Sequence, residues 1–190
     1  MKVIPTKIDG CVLIEPQIFR DERGFFMESF QTERYRTLAG IELPFVQDNF
    51  SHSEHGVLRG LHFQKRRPQG KLVQVVQGEV FDVAVDLRPN SATFGQWIGV
   101  YLSEQNQQQL WLPPGLAHGF LVTSASADFY YKCTDYYDPM DQGILRYDDP
   151  TLAIAWPHLA NYQLSSKDQQ GSSFAEITQE IQREIADHRR

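Results

Sequence analysis

Apolar and polar positions along this chain alternate in short blocks closed by turn residues. Phe81, Val83, Val85 and Leu87 alternate with Asp82, Ala84 and Asp86, the period-two signature of a half-buried strand. Residues 72–76 form an apolar, β-branched run before it, across a Gln77-Gly78 turn, and Arg88-Pro89-Asn90 ends it. Residues 97–102, 109–112, 119–122 and 129–134 read as further strands, one of them halted by Pro113-Pro114-Gly115. Six or more strands between residues 45 and 134, with no long helical pattern among them, predict an all-β sandwich or barrel. Helical periodicity is confined to the flanks. Residues 32–39 form a short helix closed by Gly40. In the tail, Ser173-Phe174-Ala175-Glu176 fits a capping box, and Phe174, Ile177, Ile181 and Ile185 recur at three- and four-residue steps. This predicts a helix over about 173–189. No repeat or linker interrupts the chain, so residues 1–190 read as one domain with its core at about 10–170.

Composition narrows the function classes. Of 190 residues, 41% are apolar and 22% charged, which excludes a disordered chain. Aromatics reach 12%, in keeping with β structure. No apolar run approaches the roughly 20 residues that span a bilayer, and residues 1–10 lack the apolar block of a secretory signal. A formal charge of −6 argues against a nucleic-acid partner, though local basic groups still suit a small anion. Two cysteines, Cys11 and Cys133, are too few for a disulfide scaffold and fit a reducing, cytoplasmic setting.

Five stretches carry candidate chemistry. The stretch Gly56 to Gln64 sets Arg59 and His62 three apart among glycines, either on a strand that lines a cavity or, taken alone, in a surface turn with a satisfied His. The stretch Pro113 to Phe120 delivers His118 onto an apolar strand. Its P-x-G-x-x-H spacing matches the second motif of cupin barrels, whose first motif is G-x5-H-x-H followed by a Glu. Here Gly56 and His62 remain, Gln64 stands where the second His belongs, and Lys65, Arg66 and Arg67 follow. Bound metals need three or more protein ligands, so no metal is expected and both histidines are left for acid–base work or binding. Residues 21–30 read as an edge strand after a surface turn, and residues 45–50 as a plain loop. Tyr131, in Phe129-Tyr130-Tyr131-Lys132, is a packing residue unless it faces a cavity. There a phenol, with a pKa near 10, serves as a general acid.

Together these clusters resemble the dTDP-4-dehydrorhamnose 3,5-epimerase family over about residues 1–175. The carrying strings include Arg20 to Phe26, Phe45 to Asn49, Val57 to Gln64, Gln69 to Val73, Gly78 to Asp86, Thr93 to Trp97, Pro114 to Phe120 and Leu164 to Asp168, in order. The resemblance implies a cupin-like jelly roll, a homodimer that exchanges an N-terminal strand, and a dTDP-sugar substrate. It implies that His62 is the base, Asp168 the carboxylate that orients it, Tyr131 the acid on the opposite face, and Lys71 the cation near the enolate oxygen. Arg23, Glu28, Gln47, Asp48, Asn49, Arg59, His118 and Lys167 match positions that hold the nucleotide sugar. Gln142 departs from the pattern, where an acid is expected, and either Phe19 or Phe26 is the aromatic expected over the thymine.

The chemistry suits these types. A ketone at C4 acidifies the protons on C3 and C5, because the carbanion delocalises into an enolate. Inversion needs a base on one face and an acid on the other, and imidazole is a fair base near neutral pH. No redox cofactor is required, and no GxGxxG fingerprint is present. Inversion of one centre only, and a non-catalytic sugar-binding cupin, are the competing readings.

Overall fold

The β-strands divide between two sheets that face each other, and the computed structural model describes residues 1–187 of this arrangement. One sheet has the order β1-β2-β10-β7-β12-β5. It comprises β1 (Lys2–Pro5), β2 (Val12–Glu15), β5 (Gln47–Glu54), β7 (Lys71–Gln77), β10 (Gln109–Leu112) and β12 (Ser126–Cys133). The other has the order β13-β6-β11-β8-β9: β6 (Leu58–Gln64), β8 (Glu79–Asp86), β9 (Trp97–Ser103), β11 (Leu116–Val122) and β13 (Gln142–Ile144). The pairings within both sheets are antiparallel. A separate hairpin joins β3 (Ile18–Asp21) to β4 (Gly24–Met27). This is a cupin-like sandwich of the all-β class.

Side chains from the two inner faces interdigitate. Val73, Val75, Leu110 and Phe129 of the first sheet pack on Val80, Ala84, Phe120 and Val122 of the second. The outer face of the second sheet is not left to water. Phe81, Val83, Val85 and Leu121 are covered by Leu145, Leu152 and Ile177. The half-buried pattern expected of β8 is therefore corrected: seven of its eight residues are buried, Asp82 and Asp86 among them. Its polar positions face the interior of the sandwich, not solvent. Residues 45–50, expected as a loop, instead enter the eight-residue edge strand β5, paired along its length with β12. A strand whose inner positions, Gln47, Asn49 and Ser51, are polar lacks the apolar face that would have marked it.

Helix α1 (Thr32–Ala39) has the predicted bounds. Gly40 caps it at φ 69°, a left-handed conformation glycine adopts without strain. It covers one end of the first sheet, with Tyr35 and Ile41 against Leu72 and Trp111. Helix α2 (Phe174–Asp187) begins where the capping box placed it. Glu176 Oε2 accepts from the Ser173 backbone N–H at 2.8 Å, and Ser173 Oγ accepts from the Glu176 N–H at 3.3 Å. Asp149 Oδ2 takes the Phe174 N–H at 2.8 Å. The last residues of the predicted helix, 188 and 189, lie outside the described residues. Among the described residues no helix is long and apolar enough to cross a membrane.

Candidate active site

One end of the sandwich opens into a cavity of about 310 Å³ between the sheets. Strand alternation decides what lines it. On β5, Gln47, Asn49 and Ser51 face inward; on β12, Phe129 and Tyr131 do; on β7, Lys71 does. The register pairs Tyr131 with Asn49 and Cys133 with Lys71, so these groups share one face.

The opposite wall comes from β6 and β11. His62 pairs with His118, yet Arg59 pairs with Phe120, so Gly60 and Leu61 of β6 stand against Gly119 alone on β11. This bulge brings Arg59 and His62, three apart, to the same side, where strict alternation would have divided them. Gly60 at the bulge has φ 110°, and a Cβ there would stand 2.6 Å from His118 O and 2.7 Å from the Gly119 Cα. Only glycine allows the two strands to approach so closely.

Within the cavity the imidazole of His62 is oriented from behind. Its Nε2 lies 2.6 Å from Asp168 Oδ1. Asp168 stands at the start of a short 3-10 turn (Asp168–Gln170) and is buried, while the His62 side chain stays 31% exposed. Burial raises the Asp168 carboxyl, but the hydrogen bond and charge of His62, with the Gly60 N–H, outweigh it and hold the group below the usual carboxylate range. An ionised Asp168 requires the proton on Nε2. Among the described residues nothing bonds Nδ1, which is left as the basic nitrogen.

Tyr131 lies in the same cavity. Burial, with the nearby Cys133 thiol, pushes its phenol up to about 12, so it keeps its proton throughout the neutral range. Lys71 faces in as well, and burial pulls its ammonium below the usual lysine range. Arg59 donates from Nε to Ser53 Oγ at 2.9 Å, which fixes the root of its guanidinium. A second cleft of about 480 Å³ adjoins the first and shares Arg59, His62, Tyr137 and Gln142 with it, adding Lys167 and Asp168. At the junction Gln142 Oε1 accepts from Tyr137 O–H at 3.2 Å and from Lys167 Nζ.

Of the residues singled out from sequence, Gln47, Asn49, Arg59, His62, Lys71, His118, Tyr131 and Gln142 line the cavity, and Lys167 and Asp168 line the adjoining cleft. Others do not join them within one chain. Asp48 points to the outer face, where it accepts from Lys132 Nζ at 2.9 Å and Tyr130 O–H at 2.9 Å. Arg23 is fully exposed at the β3–β4 turn and pairs with Asp21. Glu28 pairs with Arg34, and Phe19 and Phe26 stand 59% and 68% exposed on the hairpin. Sequence reasoning passed over Asp82, Gln69 and Tyr137. Asp82 was legible only as a polar member of an alternating strand.

Gln64, at the position of a cupin metal ligand, is used otherwise. Its amide donates to Arg67 O at 2.7 Å and accepts from the Asp138 N–H at 2.7 Å, tying down two loops. Among the described residues no three His, Cys, Asp or Glu side chains converge as a ligand set. Cys11 and Cys133 are free and buried.

A cupin-like sandwich whose cavity holds an Asp-backed imidazole, a phenol and a buried ammonium is equipped for proton transfer. Comparison with known proteins gives the family. The profile of dTDP-4-dehydrorhamnose 3,5-epimerase matches residues 5–176. The dTDP-4-dehydrorhamnose 3,5-epimerase of Pseudomonas aeruginosa is 50% identical over 176 residues, covering 93% of this chain and 97% of that protein. The crystal structure of a dTDP-6-deoxy-D-glucose-3,5-epimerase from Legionella pneumophila, in complex with dTDP-4-keto-L-rhamnose, is 57% identical with a TM-score of 0.88, over 93% of this chain and 96% of that one. A 3'-monoepimerase from Streptomyces bikiniensis, a double mutant in complex with dTDP, is 33% identical with a TM-score of 0.87, over 93% and 89%. The chain belongs to the dTDP-4-dehydrorhamnose 3,5-epimerase family.

Proposed function

We propose that this chain is a carbohydrate epimerase that inverts C3 and C5 of dTDP-4-dehydro-6-deoxy-D-glucose, giving dTDP-4-dehydro-L-rhamnose for dTDP-rhamnose biosynthesis. The observation that carries the reading is the His62–Asp168 pair at 2.6 Å in one cavity with Lys71 and Tyr131. In this mechanism His62 Nδ1 takes the proton from a carbon beside the C4 ketone. The electron pair moves into the C3–C4 or C4–C5 bond and leaves an oxyanion on C4. Asp168 fixes the tautomer and stabilises the imidazolium that forms. Lys71 and Arg59 stabilise the oxyanion, the term that usually dominates such steps. Tyr131 gives a proton to C5 from the opposite face and water gives one to C3; after each inversion the His62 imidazolium releases its proton to solvent, from which Tyr131 recovers its own.

Arg59 and Lys167 suit the diphosphate, with guanidinium geometry favouring bidentate contact. Gln47, Asn49, His118 and Gln142 hold the sugar and ribose hydroxyls. Asp48 stays on the outer face with Lys132 and Tyr130, and the other predicted contacts, Arg23, Glu28, Phe19 and Phe26, lie on or beside a hairpin outside the cavity of their own chain. We take them to serve the cavity of a second copy, in a homodimer in which Phe19 or Phe26 covers the thymine. Three exposed phenylalanines on one two-stranded hairpin support this, since such a patch marks an interaction surface. The reading treats residues 1–190 as one cytoplasmic unit that needs no metal or cofactor.

The test is proton NMR of dTDP-4-dehydro-6-deoxy-D-glucose turned over in deuterated water. Deuterium at both C3 and C5 is expected. Deuterium at one carbon alone assigns the chain to single-centre epimerases, and at neither overturns the proposal.

A further inference from the structure

Behind the cavity wall lies a second histidine–carboxylate pair. His118 Nε2 sits 2.9 and 3.1 Å from the two oxygens of Asp82. The side chain of Asp82 is 0% exposed and that of His118 8%. The register explains the contact. His118 on β11 pairs with Ala84 on β8, so Asp82, two residues away, is its diagonal neighbour on the same inner face. The stacked ring of Phe129, 6.0 Å from that of His118, closes one side. Nothing among the described residues bonds His118 Nδ1.

His118, which holds Asp82, lines the same cavity as Lys71. No carboxylate among the described residues ion-pairs with the Lys71 ammonium, although the cavity removes it from bulk water. Cys133 on β12 is its register partner, and Cys133 and the charge of Asp82 on β8 oppose the effect of burial on it. Tyr131, on β12, and Arg59, His62 and His118, on β6 and β11, line the same cavity; Gln47 and Asn49 on β5 are neutral. Asp168 is committed to His62. Asp82 is thus the one carboxylate acting on Lys71. Burial holds its own carboxyl above the usual carboxylate range, and the interaction with His118 and the charge of Lys71 oppose that rise.

We propose that Asp82 is a positioning residue for the reaction: it fixes the His118 ring in the Nε2–H tautomer and supplies the negative charge that Lys71 lacks elsewhere in the cavity. An unpaired ammonium in a low-dielectric pocket gives up its proton readily, and a neutral amine cannot stabilise an oxyanion. A buried aspartate outside the cavity lining keeps the charge without occupying the space the substrate needs. This rests on the epimerase reading for its consequence in turnover, but not for the tautomer or for the lysine's charge.

The test therefore has two arms. In the unmutated protein, nitrogen-15 NMR is expected to show the neutral ring of His118 as the Nε2–H tautomer; an Nδ1–H tautomer overturns the proposal. In Asp82→Asn, the Lys71 titration, read on its ε-carbon without turnover, is expected to move down by about 1 to 3 pH units, the reach of one nearby charge. The alkaline limb of kcat should move with it, and kcat should fall roughly 10- to 100-fold, as when an imidazole loses its orienting partner. Asp82→Glu should restore part of the shift. A lowered melting temperature with an unmoved Lys71 titration makes Asp82 structural only and overturns the proposal. If the lysine moves but no deuterium enters either carbon, it is the epimerase reading that fails.

Discussion

His62 and His118 are register partners on adjacent antiparallel strands, and each rests through Nε2 on a buried carboxylate. The supports come from different parts of the chain. Asp168 arrives from a 3-10 turn near the C-terminus, and Asp82 from the neighbouring strand β8. The difference that matters is access, since His62 keeps 31% of its side chain exposed and His118 only 8%. A base that must reach a substrate carbon belongs on the more open of the two.

His62→Asn should abolish deuterium uptake at both carbons while leaving dTDP affinity within a few-fold. Asp168→Asn should lower kcat by about 10² to 10⁴, with a much smaller change in KM, because it disturbs the tautomer and not the pocket. Steady-state kinetics and calorimetry with dTDP check both. Equal loss of kcat and of dTDP affinity would assign the pair to binding.

Tyr131→Phe removes the one phenol of the cavity that burial holds at about 12. Proton delivery to C5 should fail while exchange at C3 continues, so the product mixture shifts to the C3 epimer. One-dimensional NMR of the products distinguishes this from uniform slowing, which would argue against the assignment.

Asp86 gives an acid-stability signature apart from catalysis. Burial opposes its charge, but Arg88, Ser91 and Thr93 outweigh burial with hydrogen bonds and hold its carboxyl down at about 2. A group whose folded value is depressed stabilises the fold above its unfolded value of about 3.9, and that stability is lost as pH falls toward 2. After screening at the partly exposed Arg88, about 1 to 2 kcal/mol should disappear across this window. Asp86→Asn should flatten the slope of urea-unfolding free energy against pH between about 4 and 2.

The hairpin gives a test of assembly. Replacing Phe19 and Phe26 by Ser should raise KM for the nucleotide sugar and leave the melting temperature within a few degrees, since both rings are largely outside the core of their own chain. Sedimentation velocity should show dimers for the unmutated chain. A monomer with full activity would remove the hairpin from the site.

The sheet strands with clear alternation or β-branched runs, β7 through β12, were legible because their periodicity and turn residues agree, and α1 and the start of α2 because their caps are written in Gly40 and Ser173-Glu176. Strand β5 was not, because its alternation sets polar Gln47, Asn49 and Ser51 toward a cavity where an apolar face is expected. Asp82 escaped for the same reason: an aspartate in an alternating strand reads as solvent-facing until a second layer covers the apolar side. The cavity residues recognised through the family resemblance converge, but spacing alone says nothing of which strands lie opposite each other.

The extra residue in β6 sets how this wall tolerates length changes. Deleting any one position between Arg59 and His62 would restore a regular ladder and so turn one of the two side chains away from the cavity. Insertions in the turns at Gly78 or Gly115, by contrast, leave the phasing of that wall untouched. Natural or engineered variation in chain length is therefore expected at those rims and not within this three-residue step.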